Sequence, residues 1–291
     1  MNDLAQILGS ENLLATSTKM GPMLVASGKL SPKDLSLVLA AQKKHGLRFG
    51  DAAVKLGLVK EEDINSILAE QFAYTQTPAA SSKFDRRLSA LFQPDSIQAE
   101  AVRSLRSELM LRYFNPKPQQ RAIALVSADD AEGNALTTAN LAISFAQLGA
   151  RTLLIDSNLR APQLNKLFHL NEHAPGLSDW IADRTAVIPT AIESIRSLWV
   201  MPAGTRAPNP QELLASKQYQ ERLEPLLQSF DVILISTAPM DSNRDAQLVA
   251  AHAGAAVLVA QAHVTKTKDL LAIGTRLRDL NVRLLGTVLR D

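Results

Sequence analysis

Residues 122–140 read AIALVSADDAEGNALTTAN, an apolar strand followed by a short polar loop and an Ala/Leu-rich helix. From residue 121 onward, further apolar runs of strand length alternate with stretches of helical character. The predicted strands are Ala122–Val126, Thr152–Ile155, Leu198–Met201, Val232–Ile235, Ala255–Val259 and Leu284–Val288. This alternation predicts an α/β fold, a mostly parallel sheet with helices on both faces.

The loop between the first strand and its helix stands where a phosphate-binding P-loop would lie. Such a loop reads G-x-x-x-x-G-K-[ST]: its backbone N–H groups surround the phosphates, its Lys neutralises their charge, and its hydroxyl holds Mg²⁺. Here Asn134 replaces the Lys and Ala135 the hydroxyl residue, while Asp129, Asp130 and Glu132 add carboxylates beside the anion site. We therefore predict a P-loop NTPase-like scaffold whose phosphate chemistry is lost.

Composition restricts the possible functions. The chain has 291 residues, 46% of them hydrophobic, which suffices for one large core and a smaller second one. A net charge of +2 without a long basic run argues against a nucleic-acid partner. The chain has no Cys, and its five His form no ligand pattern, so we expect neither a disulfide nor a metal site.

Hydropathy argues against a membrane-spanning segment. No apolar run approaches the roughly 20 residues that a transmembrane helix needs. The first residues, MNDLAQILGSENLL, are too polar for a signal peptide. We expect a cytoplasmic protein without direct membrane insertion, which would reach a membrane only through a partner.

An internal repeat lies near the N-terminus. Residues 19–42 (KMGPMLVASGKLSPKDLSLVLAAQ) recur at 48–71 as RFGDAAVKLGLVKEEDINSILAEQ, an offset of 29 positions. Each unit predicts a short helix that ends at Gly28 or Gly57, followed by a second helix that begins at Ser31 or Lys60. Apolar residues at i, i+4 spacing give each second helix a stripe that can pack against the other unit.

The tandem repeat resembles the N-terminal domain of type II secretion and pilus assembly ATPases, in the MshE-type version that binds cyclic di-GMP. In that version the basic residue, the following apolar–Gly pair and the closing Gln of each unit contact the dinucleotide. The resemblance therefore implies a binding site formed by Lys19, Met20, Gly21, Gln42, Arg48, Phe49, Gly50 and Gln71.

One residue departs from this pattern, because Lys19 cannot stack on guanine as a planar guanidinium does. The alternative is a helical docking module for proteins, in which the Gly and Gln positions are structural.

Residues 74–98 mix Pro, Ser, Ala and charge without periodicity and indicate a connector. We predict a helical domain at 15–75, a linker at 76–95 and the α/β domain at 96–291.

Several stretches of the α/β domain resemble the bacterial (BY-type) tyrosine kinases of capsule and exopolysaccharide assembly, relatives of the ParA/MinD ATPases. They are EAVRSLRSEL (100–109), LLIDSNLRAPQLNKLF (153–168), GLSDWI (176–181), AGTRAPNPQELLAS (203–216) and FDVILISTAPM (230–240). With the repeat, the chain resembles the EpsG-like subgroup that accompanies exosortase-linked exopolysaccharide loci. The resemblance implies an ATP-dependent tyrosine kinase that controls polysaccharide chain length; a ParA/MinD-like ATPase is a second alternative.

The chain departs from this family at its metal positions. In the pattern L-L-I-D-x-D-x-R-x-P, Asp156 and Arg160 remain, but Asn158 replaces the second Asp. Ser236 stands where the family has its Walker B Asp. Because the sequence ends at GTVLRD, we expect the Tyr-rich tail of the family to be missing. We therefore expect no ATP–Mg²⁺ chemistry, and the alternative roles for Asp156 and Arg160 are a capped turn and a surface ion pair.

The family pattern E-x-x-R-x-x-R is kept as Glu100, Arg103 and Arg106. The resemblance implies that these residues join subunits in a homo-oligomer, whereas the alternative is an intrahelical Glu–Arg pair. We expect a pseudokinase that regulates exopolysaccharide synthesis or export by binding proteins and cyclic di-GMP. The expected partner is the inner-membrane polysaccharide chain-length determinant or a kinase paralogue, which would hold the chain at the inner membrane.

Overall fold

The computed structural model describes residues 20–64, 67, 84–114, 121–183, 189–241 and 243–291. These residues form two compact units. The first contains residues 20–64 and 67, and the second contains all the described residues from 84 onward.

The first unit consists of short helices joined by glycine turns. α1 spans Met20–Ala26, α2 spans Pro32–His45, α3 spans Phe49–Lys55, and residues 61–64 are again helical. Gly28 and Gly57 follow the two short helices with φ of +72° and +68°, a left-handed conformation that glycine adopts without steric cost. The predicted succession of helix, glycine turn and helix is confirmed in both repeats.

Both repeats contribute to one apolar core in this unit. Its buried members are Leu24, Leu30 and Val38 from the first repeat and Ala52, Ala53, Val59, Ile64 and Ile67 from the second. Each repeat is too short to enclose an apolar stripe alone, so the two repeats stabilise each other by burying their apolar residues in one core.

The second unit is an α/β sandwich of helices around a sheet. Its first elements are α4 (Ser89–Phe92), α5 (Ile97–Leu109), a π-helical turn (Met110–Phe114), β1 (Ala122–Ser127), α6 (Ala131–Ala146), β2 (Thr152–Asp156), α7 (Leu164–Leu167) and α8 (Leu177–Ile181). They continue with β3 (Thr190–Ala191), β4 (Leu198–Met201), α9 (Pro210–Leu214), α10 (Lys217–Ser229), β5 (Val232–Ser236), α11 (Asp245–Ala253), β6 (Ala255–Gln261), α12 (Thr267–Asp279) and β7 (Arg283–Arg290).

The sheet has seven strands in the order β3-β4-β2-β5-β1-β6-β7. All neighbouring pairs are parallel except β3 and β4. Alternate strand residues face opposite cores: Ile123 and Leu125 pack with α4–α7, whereas Ala124 and Val126 pack with α8–α12. The predicted α/β fold and its six predicted strands are confirmed; the two-residue β3 was not predicted.

Part of the predicted linker belongs to the second unit. Leu88, Ala90 and Leu91 are buried in the core on the α6 side of the sheet. The Ala90 N–H donates to Asn140 Oδ1 at 2.9 Å, and Gln147 Nε2 donates to the Ala90 carbonyl at 2.9 Å. The described end of the predicted linker, residues 84–95, is therefore part of the folded unit, because Asn140 of α6 and Gln147, which follows α6, satisfy both backbone groups of Ala90.

None of the helices in the described ranges combines the length and apolar character that crossing a bilayer demands.

Candidate functional site

The β1–α6 loop lies at the centre of the sheet's carboxyl edge, where open α/β sheets bind ligands. Ser127, the last residue of β1, donates its hydroxyl to the Asp130 carbonyl at 2.7 Å. Asp130 is the N-cap of α6, and its Oδ1 accepts the Gly133 N–H at 2.8 Å. The chain's own side chains thus close the loop, as N-capping residues do at many helices.

Asn134, at the position of the P-loop lysine, is fully buried. Its Nδ2 donates to the Leu125 carbonyl at 2.9 Å and to the Thr237 carbonyl at 3.0 Å. Leu125 belongs to β1 and Thr237 follows β5, so this amide joins two neighbouring strands at the carboxyl edge. Asn134 therefore performs a structural task, since its amide holds two backbone carbonyls at this edge.

A guanidinium from β7 lies against the loop. Arg290 donates its Nη2 to Asp130 Oδ2 in a short ion pair. A Cβ placed on Gly133 would overlap with both the Asp130 carboxylate and the Arg290 guanidinium. These two side chains therefore fill the space beside the backbone N–H groups at the start of α6.

Two further carboxylates make the loop unfavourable for anions. Glu132 pairs with Arg87, which also pairs with Asp85 at 2.8 Å. Asp129 is exposed, and its Oδ1 lies 3.4 Å from the Thr265 hydroxyl. Each free carboxylate at contact distance repels a phosphate by about 1 kcal/mol in water and more where the site is desolvated.

Asp156, the carboxylate kept from the family's metal motif, is completely buried at the end of β2. Its Oδ1 accepts the Asn158 N–H at 3.1 Å, and its Oδ2 accepts the N–H groups of Gln163 and Leu164, both at 2.9 Å. Burial raises the pKa of Asp156 to about 6, although the three backbone donors favour its ionised form. The carboxylate thus caps the turn that leads into α7.

The other remnants of the metal and phosphate shell are also engaged. Asn158 Oδ1 accepts the Ala161 N–H at 3.1 Å. Ser236 lies opposite Asp156 in the β2–β5 register and is buried. Arg160 donates its Nε to Asp245 Oδ2 at 2.7 Å, and Asp245 is buried. The alternative roles of Asp156 and Arg160, a capped turn and an ion pair, are the ones the structure contains.

The residues at this edge do not fit a magnesium-bound triphosphate. Mg²⁺ is held by hard, charged oxygen ligands, and a triphosphate needs cationic partners for its phosphates. Ala135 offers no oxygen, while Asn158 and Ser236 offer neutral ones. In the described ranges, no group of three or more His, Asp or Glu side chains is placed to hold a metal ion.

Two of the family-like segments interlock beside this edge. Asp179 Oδ2 accepts the N–H groups of Gly176 at 3.1 Å and Thr205 at 2.8 Å. Ser178 donates its hydroxyl to the Thr205 carbonyl at 2.6 Å. Gly204 has φ +83°, and a Cβ there would overlap with Asp179. These contacts explain why GLSDWI and AGTRAPNP each contain a glycine, because the two segments approach each other so closely that a side chain would not fit.

An open cleft of about 440 Å³ lies near these segments. It is lined by Arg160, Gln211, Asn243 and Arg244. Asn243 Oδ1 accepts the Asp245 N–H at 2.9 Å, so the same Asp245 that holds Arg160 also fixes the start of α11. The lining is polar, but the Arg160 charge is already compensated by Asp245.

Four of the predicted dinucleotide-binding residues lie together in the first unit, because Gly21 packs against Phe49 and Gly50 against Met20. Lys19 and Gln71 lie outside the described residues. Met20, Gln42 and Phe49 are half-buried. Arg48 is exposed at the N-cap of α3, and within the described part of the chain its side chain forms no hydrogen bond or ion pair.

The two glycines of this group, Gly21 and Gly50, are buried in equivalent packing. A Cβ on Gly21 would lie 2.7 Å from Leu35 Cδ1 and 3.2 Å from the Phe49 ring. A Cβ on Gly50 would lie 2.9 Å from Ile64 Cγ2 and 3.7 Å from Met20 Sδ. Each glycine thus packs against its own repeat and against the apolar residue of the other, so apolar packing already favours a small residue here.

The predicted assembly residues lie on α5. Arg103 donates its Nε to Glu100 Oε2 at 2.8 Å and its Nη1 to the Pro94 carbonyl at 2.7 Å. Arg106 donates its Nη1 to the carbonyl and hydroxyl of Ser144 in α6, both at 3.0 Å. The intrahelical Glu–Arg pair is present, and the assembly role stays a prediction.

Known proteins with similar sequences identify the family to which this chain belongs. The chain is 31% identical over 198 residues to the putative tyrosine-protein kinase CapB of Staphylococcus aureus, covering 68% of this chain and 86% of CapB. It is 30% identical over 209 residues to the tyrosine-protein kinase YwqD of Bacillus subtilis (strain 168), covering 72% of this chain and 87% of YwqD. The chain belongs to the bacterial tyrosine kinase family.

A solved structure of a bacterial tyrosine kinase agrees with this assignment. The kinase domain of Escherichia coli tyrosine kinase ETK superposes with a TM-score of 0.66 at 26% identity, covering 70% of this chain and 79% of that domain. No family model matches the chain. The EpsG-like subgroup and the MshE-type character of the repeat stay predictions.

Several residues that shape this edge of the bacterial tyrosine kinase fold were missed from sequence. Arg290 reaches Asp130 across 160 positions, Thr237 receives the Asn134 amide, and Asp245 holds Arg160. Asp245 and Thr237 each follow β5 and could have been suspected from the rule that carboxyl ends carry sites. No local pattern distinguishes Arg290 from any other polar residue on a strand.

Proposed function

We propose that this chain is a non-catalytic member of the bacterial tyrosine kinase family, a pseudokinase that regulates exopolysaccharide synthesis or export by binding proteins. The observation that supports this proposal most is the state of Asn134, a neutral, buried amide at the position of the phosphate-binding lysine. Its Nδ2 is used by two backbone carbonyls and is not available to a ligand.

The energetics of phosphoryl transfer support the same proposal. The reaction depends on cations that neutralise charge on the transferred phosphoryl group, and there is little other chemistry for the protein to perform. The lysine, the hydroxyl ligand and two carboxylates of the metal shell are replaced together by Asn134, Ala135, Asn158 and Ser236. Loss of even one such charge commonly costs orders of magnitude in rate.

A phosphotransfer experiment tests the catalytic part. The full chain would be incubated with γ-labelled ATP and Mg²⁺, alone and with a Glu-Tyr copolymer, and a competent family kinase would serve as positive control. We expect no label on Tyr and no nucleotide binding by calorimetry. Label on Tyr would support the alternative, an ATP-dependent tyrosine kinase with an atypical loop. ATP hydrolysis without Tyr label would support the ParA/MinD-like alternative.

The proposed partner is the inner-membrane polysaccharide chain-length determinant or a kinase paralogue, which would place this chain at the cytoplasmic face of that membrane. Glu100 supports a protein-binding role for α5, because 67% of its side chain is exposed. We expect the purified chain to bind the cytoplasmic segment of the determinant, and Glu100→Lys to weaken this binding or self-association in sedimentation experiments. Replacing Glu108, also exposed on α5, by Lys is the matched control.

We propose in addition that the repeat unit senses cyclic di-GMP. Arg48 supports this proposal, because it is exposed beside the half-buried Phe49 and retains its donors for a phosphate or a guanine. Calorimetry with the full chain should give micromolar affinity, reduced at least tenfold by Arg48→Ala. Lys55→Ala, an exposed cation at the other end of α3, should leave the affinity unchanged. No heat at high ligand concentration would favour a docking module.

A further inference from the structure

We propose that the β1–α6 loop is an anion site that the chain occupies itself: the Asp130 carboxylate takes the place of a phosphate group, and Arg290 is its counter-ion. This inference rests on the proposed loss of nucleotide binding and names what excludes the phosphate. Removal of the Asp130 carboxylate should turn the loop into a site for phosphate or pyrophosphate.

The backbone of the loop supports an anion at this position. α6 is sixteen residues long, and the unpaired N–H groups of its first turn attract negative charge. Asp130 Oδ1 accepts the Gly133 N–H at 2.8 Å, one of the groups that would otherwise face a phosphate oxygen. An anion is therefore bound at the start of α6, and it is part of the chain.

The cation at this position also comes from the chain. Arg290 lies at the end of β7, which is parallel to β6, while β6 pairs with β1. Strand register therefore brings its guanidinium to the loop, beside Gly133. A P-loop draws its cation from the first turn of its helix, whereas here the positive charge arrives from a strand two positions away in the sheet.

The pair is partly protected from solvent. The Arg290 side chain is 26% exposed and the Asp130 side chain 24%. The Arg290 Nε is buried and has no hydrogen-bond acceptor among the described residues. A guanidinium in this setting keeps hydrogen-bond capacity for an oxygen-rich anion once the Asp130 carboxylate is gone.

Pyrophosphate without Mg²⁺ is the probe, titrated calorimetrically into the full chain at low ionic strength. We expect negligible binding to the native chain and at least tenfold tighter binding to Asp130→Gly. Glycine is tolerated at an N-cap and vacates the space. Asp95→Asn, the same change of charge at an exposed carboxylate outside the loop, should have no comparable effect. The double variant Asp130→Gly/Arg290→Gln should lose the gain.

Thermal melting would establish that each variant is folded. If Asp130→Gly fails to fold, Asp130→Asn replaces it, because Asn keeps the cap while releasing Arg290. Equal pyrophosphate affinity in the native chain and the Asp130 variants, or a gain that survives Arg290→Gln, would overturn the inference. Transfer of label from ATP to Tyr by the native chain would instead overturn the proposed function, so the two failures are distinguishable.

Discussion

The β1–α6 loop stands at the position of a P-loop and the repeat unit contains the residues predicted to bind cyclic di-GMP, but the two regions differ in how far their cationic groups are already engaged. In the loop, Asn134 is bonded to two carbonyls, and Asp130 and Arg290 bind each other. In the repeat unit, Arg48 is exposed while apolar packing fixes the glycines. The cation of the loop is therefore already neutralised by a carboxylate of the chain, whereas the cation of the repeat unit remains open to an anionic ligand.

The largest expected effect concerns Asp156, whose carboxylate is fully engaged at the same edge of the sheet. Its pKa of about 6 lies above the ordinary value near 3.9, so the folded chain binds this proton more tightly than the unfolded chain. The stability from this group is present in full below about pH 4 and is lost as pH rises through 6, an effect of up to roughly 3 kcal/mol. Carboxyl ¹³C NMR should show the midpoint near pH 6.

If Asp156 titrated near its ordinary pKa, burial would not be the main influence on this carboxylate. The contrast between the engaged carboxyl edge and the open repeat unit would then lose support. Urea unfolding between pH 4 and 7 supplies the second measurement. Asp156→Asn should remove the corresponding slope from the free energy of unfolding.

The next effect is that of Asn134→Ala, which breaks the bridge between β1 and β5. The Thr237 carbonyl would lose the amide donor, whereas the Leu125 carbonyl would retain the Thr237 hydroxyl at 2.8 Å. We expect a loss of about 2 kcal/mol in the free energy of unfolding, measured with urea. Thr137→Ala, which removes a half-buried bond to the Gly133 carbonyl, should cost clearly less. Equal costs would contradict a special role for Asn134.

A smaller effect is expected in the repeat unit from Gly21→Ala and Gly50→Ala. The added methyl would press on Leu35 or Ile64, at a cost of about 1–2 kcal/mol in local stability. Hydrogen exchange of the α1 and α3 amides would locate the change. Gly274→Ala is the matched control, because its Cβ would meet no atom closer than 3.5 Å, and it should stabilise α12 by about 0.5–1 kcal/mol. Unaltered exchange in α1 and α3 would remove the packing explanation.

The smallest effect is expected from Lys19→Arg, which would complete the predicted pair of guanidinium groups. Cyclic di-GMP should bind about threefold to tenfold more tightly, because Arg can stack and pair with phosphate at once. Lys29→Arg, whose Lys pairs with Asp63, is the control and should change nothing. An unchanged affinity for Lys19→Arg would show that an ammonium group suffices at this position.

Much of the fold was predictable because short apolar runs in the sequence mark the positions of the strands. All six predicted strands exist: five are apolar runs buried in the parallel sheet, and the sixth, β7, is a partly exposed edge strand. β3 was missed because two exposed residues carry no pattern. α4 was missed because its burial depends on Asn140 and Gln147, about fifty positions away.

The sequence shows which motif residues of the candidate site are substituted, but it does not show the contacts that the side chains form there. The substitutions at Asn134 and Ser236 are visible in sequence, since the family motif fixes their positions. The contact between Arg290 and Asp130 depends on strand order and side-chain reach, which no short motif encodes. The capped turn of Asp156 and an ion pair of Arg160 were predicted as alternatives, but the pair was expected at the surface and its acid, Asp245, is buried.

The bridge made by Asn134 also bears on the evolutionary history open to this chain. A lone Asn134→Lys reversion would abandon a buried backbone carbonyl and introduce an ammonium group while Arg290 still lies in the loop. This first step back towards a P-loop lysine would thus make the present protein less stable. Under the proposed loss of catalysis, selection for folding alone would favour the amide bridge over a restored lysine.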